Sequence, residues 1–117
     1  MERKPKIVCL CGSTRFYKEF QQAEFEETMK GNIYLSVGFY GHATNEVHGE
    51  SIGITPEQKI MLDELHKQKI VIADEILVLD VDGYIGESTA SEIAFANRIN
   101  KCIRFLSEEK NGRRSYE

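Results

Sequence analysis

Lys6-Ile-Val-Cys-Leu-Cys-Gly-Ser-Thr-Arg15 joins a nearly continuous apolar run to a polar turn. A strand that is buried on both faces of a parallel sheet has the composition of this run. From residue 13 or 14 to about residue 30 the spacing becomes helical, and Gly31-Asn32 supplies a stop signal. The apolar positions on the inner face of this helix are Phe16, Phe20 and Ala23. We therefore predict a strand, a glycine turn and a helix.

The same alternation continues along the rest of the chain. Strand-like runs occupy residues 33–37, 75–80 and 102–106. Thr55-Pro56-Glu57-Gln58 carries a helix start signal for a helix to about Gln68. Ser88 or Thr89 opens a further helix, whose apolar positions are Ile93, Ala96 and Ile99. With right-handed crossovers, this order predicts an α/β fold: a single-domain open parallel sheet of four or five strands with helices on both faces.

Two segments depart from this alternation. Residues 38–54 are polar and rich in glycine, and a loop of this length in a compact domain is usually a functional lid or a disordered segment. We expect this loop to close over a ligand. The residues beyond 106 are predicted to form a polar tail.

Composition limits the class of protein. The chain has 117 residues, of which 41% are apolar and 29% charged, as in an ordinary globular domain, so we expect one domain over residues 1–117. So short a chain forms a deep ligand site only from loops at one edge or with a partner subunit, which favours a homodimer or a higher homo-oligomer.

The charge balance and hydropathy exclude several partners. The formal net charge is −4, so the chain has no field that attracts nucleic-acid polymers or anionic membranes. The basic cluster Lys110, Arg113 and Arg114 is interpreted as a solvated tail, or else as a rim for an anionic ligand. No apolar run approaches the roughly 20 residues of a membrane span, and residues 1–5 lack the apolar core of a signal peptide, so we expect a cytoplasmic protein.

The cysteines do not predict a disulfide scaffold, since there are three of them: Cys9, Cys11 and Cys102. We interpret all three as reduced core residues. A metal site would need further ligands at matching spacing, and neither His42 nor His48 has a cysteine nearby in sequence. We therefore predict no metal and no cofactor.

The carboxyl ends of the predicted strands indicate where a ligand binds, because ligands of open parallel sheets lie outside these ends. Gly12 would let backbone amides approach an anion, with hydroxyl groups from Ser13 and Thr14 and a guanidinium from Arg15. A plain helix cap with an exposed arginine is the structural alternative. The turn has neither a Walker nor a GxGxxG pattern, so the usual signatures for ATP and dinucleotides are missing.

The segment from Gly86 to Ile93 supplies the second candidate group, centred on Glu92 at the start of the predicted last helix. Thr89 and Glu92 have the spacing of a capping box, which would explain Glu92 without chemistry. A carboxylate in the first helical turn is also held ionised by the helix dipole, as a nucleophile must be. Glu87 is placed before the helix, as a ligand contact or a solvated carboxylate.

His66 and Asp63 lie one turn apart on the helix that precedes the third strand. A histidine there could protonate a leaving group near neutral pH, although a partly exposed helix residue is the simpler interpretation. Asp80, at the carboxyl end of the third strand, is better placed for ligand contact than Asp74, which we interpret as a turn residue.

Three of these segments together resemble the nucleoside 2-deoxyribosyltransferase-like superfamily, including its nucleoside monophosphate N-glycosidases. The segments are residues 6–15, 73–80 (Ala-Asp-Glu-Ile-Leu-Val-Leu-Asp) and 86–96 (Gly-Glu-Ser-Thr-Ala-Ser-Glu-Ile-Ala-Phe-Ala). The resemblance spans nearly the whole chain in order. It implies a flavodoxin- or Rossmann-like domain. It also implies a dimer or larger assembly whose subunits complete each other's sites.

The resemblance also implies roles for individual residues. Glu92 would attack the anomeric carbon of a nucleoside or nucleoside 5′-monophosphate, in hydrolysis or in transfer. The sugar or phosphate would contact Gly12, Ser13, Thr14, Arg15, Asp80, Gly86, Glu87 and Ser88. Where the family has an assisting aspartate, this chain has His66, so His66, Asp63 or another group would handle the proton. The same departure favours the alternative of a non-catalytic nucleotide-binding or sensing module.

Overall fold

The computed structural model of the protein describes residues 4–38, 46–47, 50–51 and 54–113. Four parallel strands form the central sheet in the spatial order β2-β1-β5-β6. Their bounds are β1 Ile7–Cys11, β2 Ile33–Leu35, β5 Glu75–Val78 and β6 Cys102–Phe105. A separate antiparallel pair consists of β3 (Glu46–Val47) and β4 (Glu50–Ser51). The predicted open parallel sheet is confirmed.

Four α-helices are present among the described residues: α1 Tyr17–Met29, α2 Pro56–Ile72, α3 Glu87–Arg98 and α4 Leu106–Arg113. The start signal of α2 is confirmed, because Thr55 Oγ1 accepts a hydrogen bond from the Gln58 amide at 3.0 Å and Gln58 Oε1 accepts one from the Thr55 amide at 2.9 Å. The helix runs one turn beyond the predicted end. No described helix is long and apolar enough to cross a membrane.

The polar tail predicted after residue 106 is wrong, since α4 occupies residues 106–113. Leu106 packs against the apolar cluster on its side of the sheet. Asp80 accepts hydrogen bonds from the Ser107 amide at 2.9 Å and from Ser107 Oγ at 2.7 Å, which satisfies an otherwise unpaired donor at the start of the helix. These contacts stabilise a helix that its own polar sequence did not predict.

Helices cover both faces of the sheet, as predicted. Cys9 and Cys11 point to one face and pack with Ile70 of α2 and Ala96 of α3. Val8 and Leu10 point to the other face, whose cluster includes Phe20 and Ala23 of α1. The period-two alternation of a strand thus divides the residues of β1 between two apolar layers.

Two predictions concern residues that are largely undescribed. The predicted lid at 38–54 lies mostly outside the described residues, apart from β3, β4 and the two ends of the stretch. Arg114 also lies outside them, as do the side chains of Lys110 and Arg113. The interpretations of this loop and of the basic cluster therefore stay predictions.

A buried ion cluster joins helix α1 to strands β5 and β6. The Arg104 guanidinium of β6 donates to Glu27 of α1 and to Glu75 of β5, each at 2.9 Å, and also contacts Glu109. Glu27 is only 1% exposed. Burial raises the pKa of Glu27, but hydrogen bonds from Arg104, Asn32 and Lys30 outweigh burial and bring this pKa down to about 2.

Arg104→Met should lower the free energy of unfolding by about 3–5 kcal/mol, because it leaves the carboxylates of Glu27 and Glu75 buried without their shared cation. Urea unfolding at neutral pH measures the change. Arg98→Met is the matched control, since Arg98 is exposed on α3, and it should cost less than about 1 kcal/mol. Equal losses in the two variants would contradict this account of the cluster.

The same cluster predicts a dependence of stability on pH. The folded pKa of Glu27 lies below its ordinary value of 4.5, so its contribution to stability is complete above that value and is lost as the pH falls toward about 2. Glu27→Gln should be less stable than the wild type at pH 7, with a shallower loss of stability between these two pH values. Parallel pH profiles of the two proteins would contradict this assignment.

Candidate active site

A cavity of about 270 Å³ opens at the carboxyl ends of β1 and β5. Three segments form most of its wall: the turn Gly12–Thr14, the inner side of α2, and residues 84–92 around the start of α3. The predicted site residues that line it are Gly12, Ser13, Thr14, Asp63, His66, Gly86, Glu87, Ser88 and Glu92. Segments far apart in sequence thus meet around one space.

Glu92 lies in this cavity on the second turn of α3 and is only 8% exposed. The helix begins at Glu87 with Gly86 as its N-cap and has no side-chain cap, so the capping box of Thr89 and Glu92 is not formed. The helix dipole was predicted to hold Glu92 ionised in the first turn, but Glu92 lies on the second turn of α3. Burial raises the pKa of Glu92, and the nearby charge of His66 only partly opposes that increase.

His66 is buried rather than partly exposed. Its Nε2 atom lies 3.0 Å from the carbonyl oxygen of Leu10, 3.5 Å from Cys9 Sγ and 3.6 Å from Cys11 Sγ. Burial disfavours the imidazolium ion, but the contact with Cys9 and the charge of Glu92 outweigh burial and raise the pKa of His66. A hydrogen bond from Cys11, assisted by His66, lowers the pKa of Cys9 to about 6 despite burial.

The sequence did not predict that the cysteines and His66 lie together. Strand alternation does place Cys9 and Cys11 on one face, which the pattern of β1 could have indicated. The face of α2 that turns toward them depends on the packing of that helix. Cys102, predicted to be a core residue, is exposed, and all three thiols are free. The site therefore combines a carboxyl group, an imidazole and two thiols in a poorly hydrated space.

Two lysines of α2 also line the cavity and were not predicted. Lys59 Nζ donates to both carboxylate oxygens of Asp63, at 2.8 and 3.0 Å, and to Ser88 Oγ at 3.1 Å. Lys69 Nζ donates to the carbonyl oxygen of Ser36 at 2.5 Å. The same wall carries the carboxyl groups of Asp63, Glu87 and Glu92, so it is not uniformly positive, but each lysine can donate hydrogen bonds to an anionic ligand.

Comparison of the chain with protein-family models, curated proteins and solved structures finds no match. The family resemblance stays a prediction.

Two predicted ligand contacts are not among the residues that line the cavity. Arg15 is exposed, and its guanidinium lies 4.5 Å from the ring centroid of Tyr84, with Nη2 3.4 Å from the Tyr84 hydroxyl. Tyr84 itself lines the cavity, so Arg15 packs behind part of its wall. The carboxylate of Asp80 is directed to Ser107 instead.

Packing also explains why position 12 is a glycine, besides the predicted approach of an anion. A Cβ atom at this position would lie 3.2 Å from both Cβ and the carbonyl oxygen of Leu79, just beyond the end of β5. The Leu79 amide donates to the Cys11 carbonyl at 2.8 Å, which holds the two strand ends together. The glycine thus lets β1 and β5 stay paired up to the rim of the cavity.

Asp80→Ala should lower the free energy of unfolding by about 1–3 kcal/mol, because the buried start of α4 loses two hydrogen bonds. Binding of any ligand of the cavity should change less than about twofold, because the carboxylate of Asp80 is bonded to α4 and is not directed into the cavity. Chemical unfolding and calorimetric titration measure the two quantities. A large loss of binding at unchanged stability would restore Asp80 as a ligand contact.

Proposed function

We propose that the protein cleaves the N-glycosidic bond of a nucleoside or nucleoside 5′-monophosphate, by hydrolysis or by transfer of the sugar to a second base, with Glu92 as the nucleophile. One observation carries the proposal: Glu92 borders the same cavity as the turn Gly12–Thr14. A sugar bound against that turn would therefore lie within reach of a shielded carboxylate. Retaining glycosidases require such a group at the anomeric carbon.

The proposed reaction has two steps. The carboxylate of Glu92 attacks the anomeric carbon while the bond to the base nitrogen breaks, and the bonding pair leaves with the base. Water or a second base then attacks the same carbon from the face opposite Glu92, which releases Glu92. Because each step inverts the configuration, the overall reaction retains it. Burial of Glu92 supports this route, because charges interact more strongly where water is excluded.

The departing base needs a proton, and both predicted donors line the cavity. Both carboxylate oxygens of Asp63 already accept hydrogen bonds from Lys59. His66 has a raised pKa, so it keeps a proton to higher pH than an ordinary histidine. With Nε2 directed at the Leu10 carbonyl, an imidazolium would donate from Nδ1. His66 is the stronger candidate for the acid.

The wall of the cavity supports a phosphorylated substrate. Lys59 reaches Ser88 at the start of α3, and further hydroxyl groups come from Ser13 and Thr14. A cation, hydroxyl groups and the amides of a helix start are typical of phosphate sites. Lys59 takes the role that the sequence gave to Arg15, whose side chain contacts Tyr84 instead.

We further propose a homodimer or higher homo-oligomer that acts in the cytoplasm without a cofactor. Support for an oligomer comes from α2, where Met61, Leu65 and Ile72 are exposed at helical spacing, at 53%, 48% and 62%. A row of exposed apolar side chains on one helix is typical of a surface that another protein covers. A second subunit there would extend the wall that one short chain provides.

Glu92→Gln should reduce the release of free base by about 10³-fold or more, because an amide is a poor nucleophile of nearly the same shape. Release is measured by chromatography after incubation with a panel of ribo- and deoxyribonucleoside monophosphates. Thermal melting should show a folded variant with ligand-dependent stabilisation retained.

Glu87→Gln is the matched control, since Glu87 is on the same helix and lines the same cavity. Its loss of activity should be at least tenfold smaller than that of Glu92→Gln. Equal losses would mean that the charge of the cavity matters and no individual nucleophile does. Tight binding without release of base by the wild type would instead support the non-catalytic nucleotide-binding module.

A further inference from the structure

Three side chains of types that bind metals meet behind the cavity. Cys9 and Cys11 belong to β1 and His66 belongs to α2, and all three are buried. Their sulfur and nitrogen atoms lie within 4.8 Å of one another. His66 also lines the cavity, which places the cluster next to it. We propose that Cys9, Cys11 and His66 bind one Zn²⁺ ion.

The distances fit tetrahedral zinc. Zinc binds thiolate sulfur at about 2.3 Å and imidazole nitrogen at about 2.0–2.1 Å, so a tetrahedral angle separates these two ligand atoms by about 3.6 Å. The observed separations of His66 Nε2 from the sulfurs of Cys9 and Cys11 are 3.5 and 3.6 Å. A tetrahedral site separates two sulfurs by about 3.8 Å. The sulfurs of Cys9 and Cys11 lie within 4.8 Å of each other, so they would approach by at most about 1 Å.

The ligand set selects the metal. Two thiolates and an imidazole suit Zn²⁺, whereas Mg²⁺ and Ca²⁺ require oxygen ligands. Cu⁺ also prefers soft sulfur ligands, but the carboxyl group of Glu92 lines the same cavity as His66, and carboxylate oxygen is an ordinary ligand of Zn²⁺. A water molecule in the cavity would complete four-coordination, or Glu92 would do so after its carboxyl group approaches, because it is not among the atoms that lie within 4.8 Å of one another. These neighbours favour zinc over copper.

Binding has a defined balance of charge and protons. Two thiolates neutralise the ion, so two protons leave the cluster and pass to solvent. The neutral imidazole gives its Nε2 lone pair to zinc and loses the contact of that atom with the Leu10 carbonyl. No oxidant or reductant is needed. The proposed site is an alternative to the sequence prediction that the chain binds no metal.

Zinc binding does not depend on the proposed sugar chemistry, because it requires no substrate. If Glu92 and His66 also carry out that chemistry, one zinc ion per chain would block it, since zinc occupies His66. Metal binding without any glycosidase activity would support the zinc site alone. Activity without metal binding would support the proposed function alone.

The test uses the full chain, reduced and stripped of metal with a chelator. Titration with Co²⁺ should give sulfur-to-cobalt charge-transfer absorption and the visible bands of tetrahedral cobalt, saturating at one ion per chain and disappearing when Zn²⁺ is added. Cys9→Ser and Cys11→Ser should each weaken binding by about 100-fold or more. Mutation of residues that only hydrogen-bond to a metal ligand typically costs about 10–100-fold, so a larger loss indicates a direct ligand. Cys102→Ser is the matched control, with an exposed thiol, and should bind like the wild type.

A second measurement covers variants that do not fold. In the wild type, Zn²⁺ should protect Cys9 and Cys11 from alkylation during partial unfolding while Cys102 stays reactive, as read by mass spectrometry of peptides. Absence of the charge-transfer band together with unprotected thiols would overturn the proposal. Loss of binding in Cys102→Ser but not in Cys9→Ser would also overturn it, because the ion would then bind at the surface.

Discussion

The parallel pairing of β1 with β5 is the constraint on which the site depends. Cys11 lies opposite Val78, so the two strands end side by side and their following segments leave from one edge. One segment is the turn after β1, and the other leads through residues 79–86 into α3. Because α2 packs on the same face as α3, the three walls of the cavity follow from this pairing. Gly12 keeps the pairing close at the rim.

Polar groups inside this structure are tolerated because each has partners. Glu27 and Glu75 share Arg104, which replaces the hydration that burial removes. Glu92 and His66 are not paired with an arginine in this way. Their pKa values respond to burial, to the cysteine thiols and to each other's charge. The stability of the fold and the chemistry proposed for its cavity thus involve separate buried clusters.

Local rules accounted for most elements but misplaced their ends. The capping box of Thr55 and Gln58 depends only on residues within one turn, so α2 was predicted to start where it does. The same rule failed for Thr89 and Glu92, because α3 starts earlier, at Glu87, with Gly86 as its N-cap. Helix α4 was missed because its support comes from Asp80 and the sheet, far away in sequence. A long-range contact decided this second difference.

The sequence by itself determined the alternation of strands and helices, the apolar faces of β1, and the segments that reach the carboxyl edge of the sheet. These features follow from periodicity and turn chemistry, which act over a few residues. Only the tertiary structure decided that His66 meets Cys9 and Cys11, that Lys59 faces the cavity, and that Arg15 and Asp80 do not line it. The contacts of His66 and Lys59 depend on the rotation of α2 about its own axis, and packing against the sheet fixes that rotation. The directions of Arg15 and Asp80 depend on their partners Tyr84 and Ser107, which lie far away in sequence.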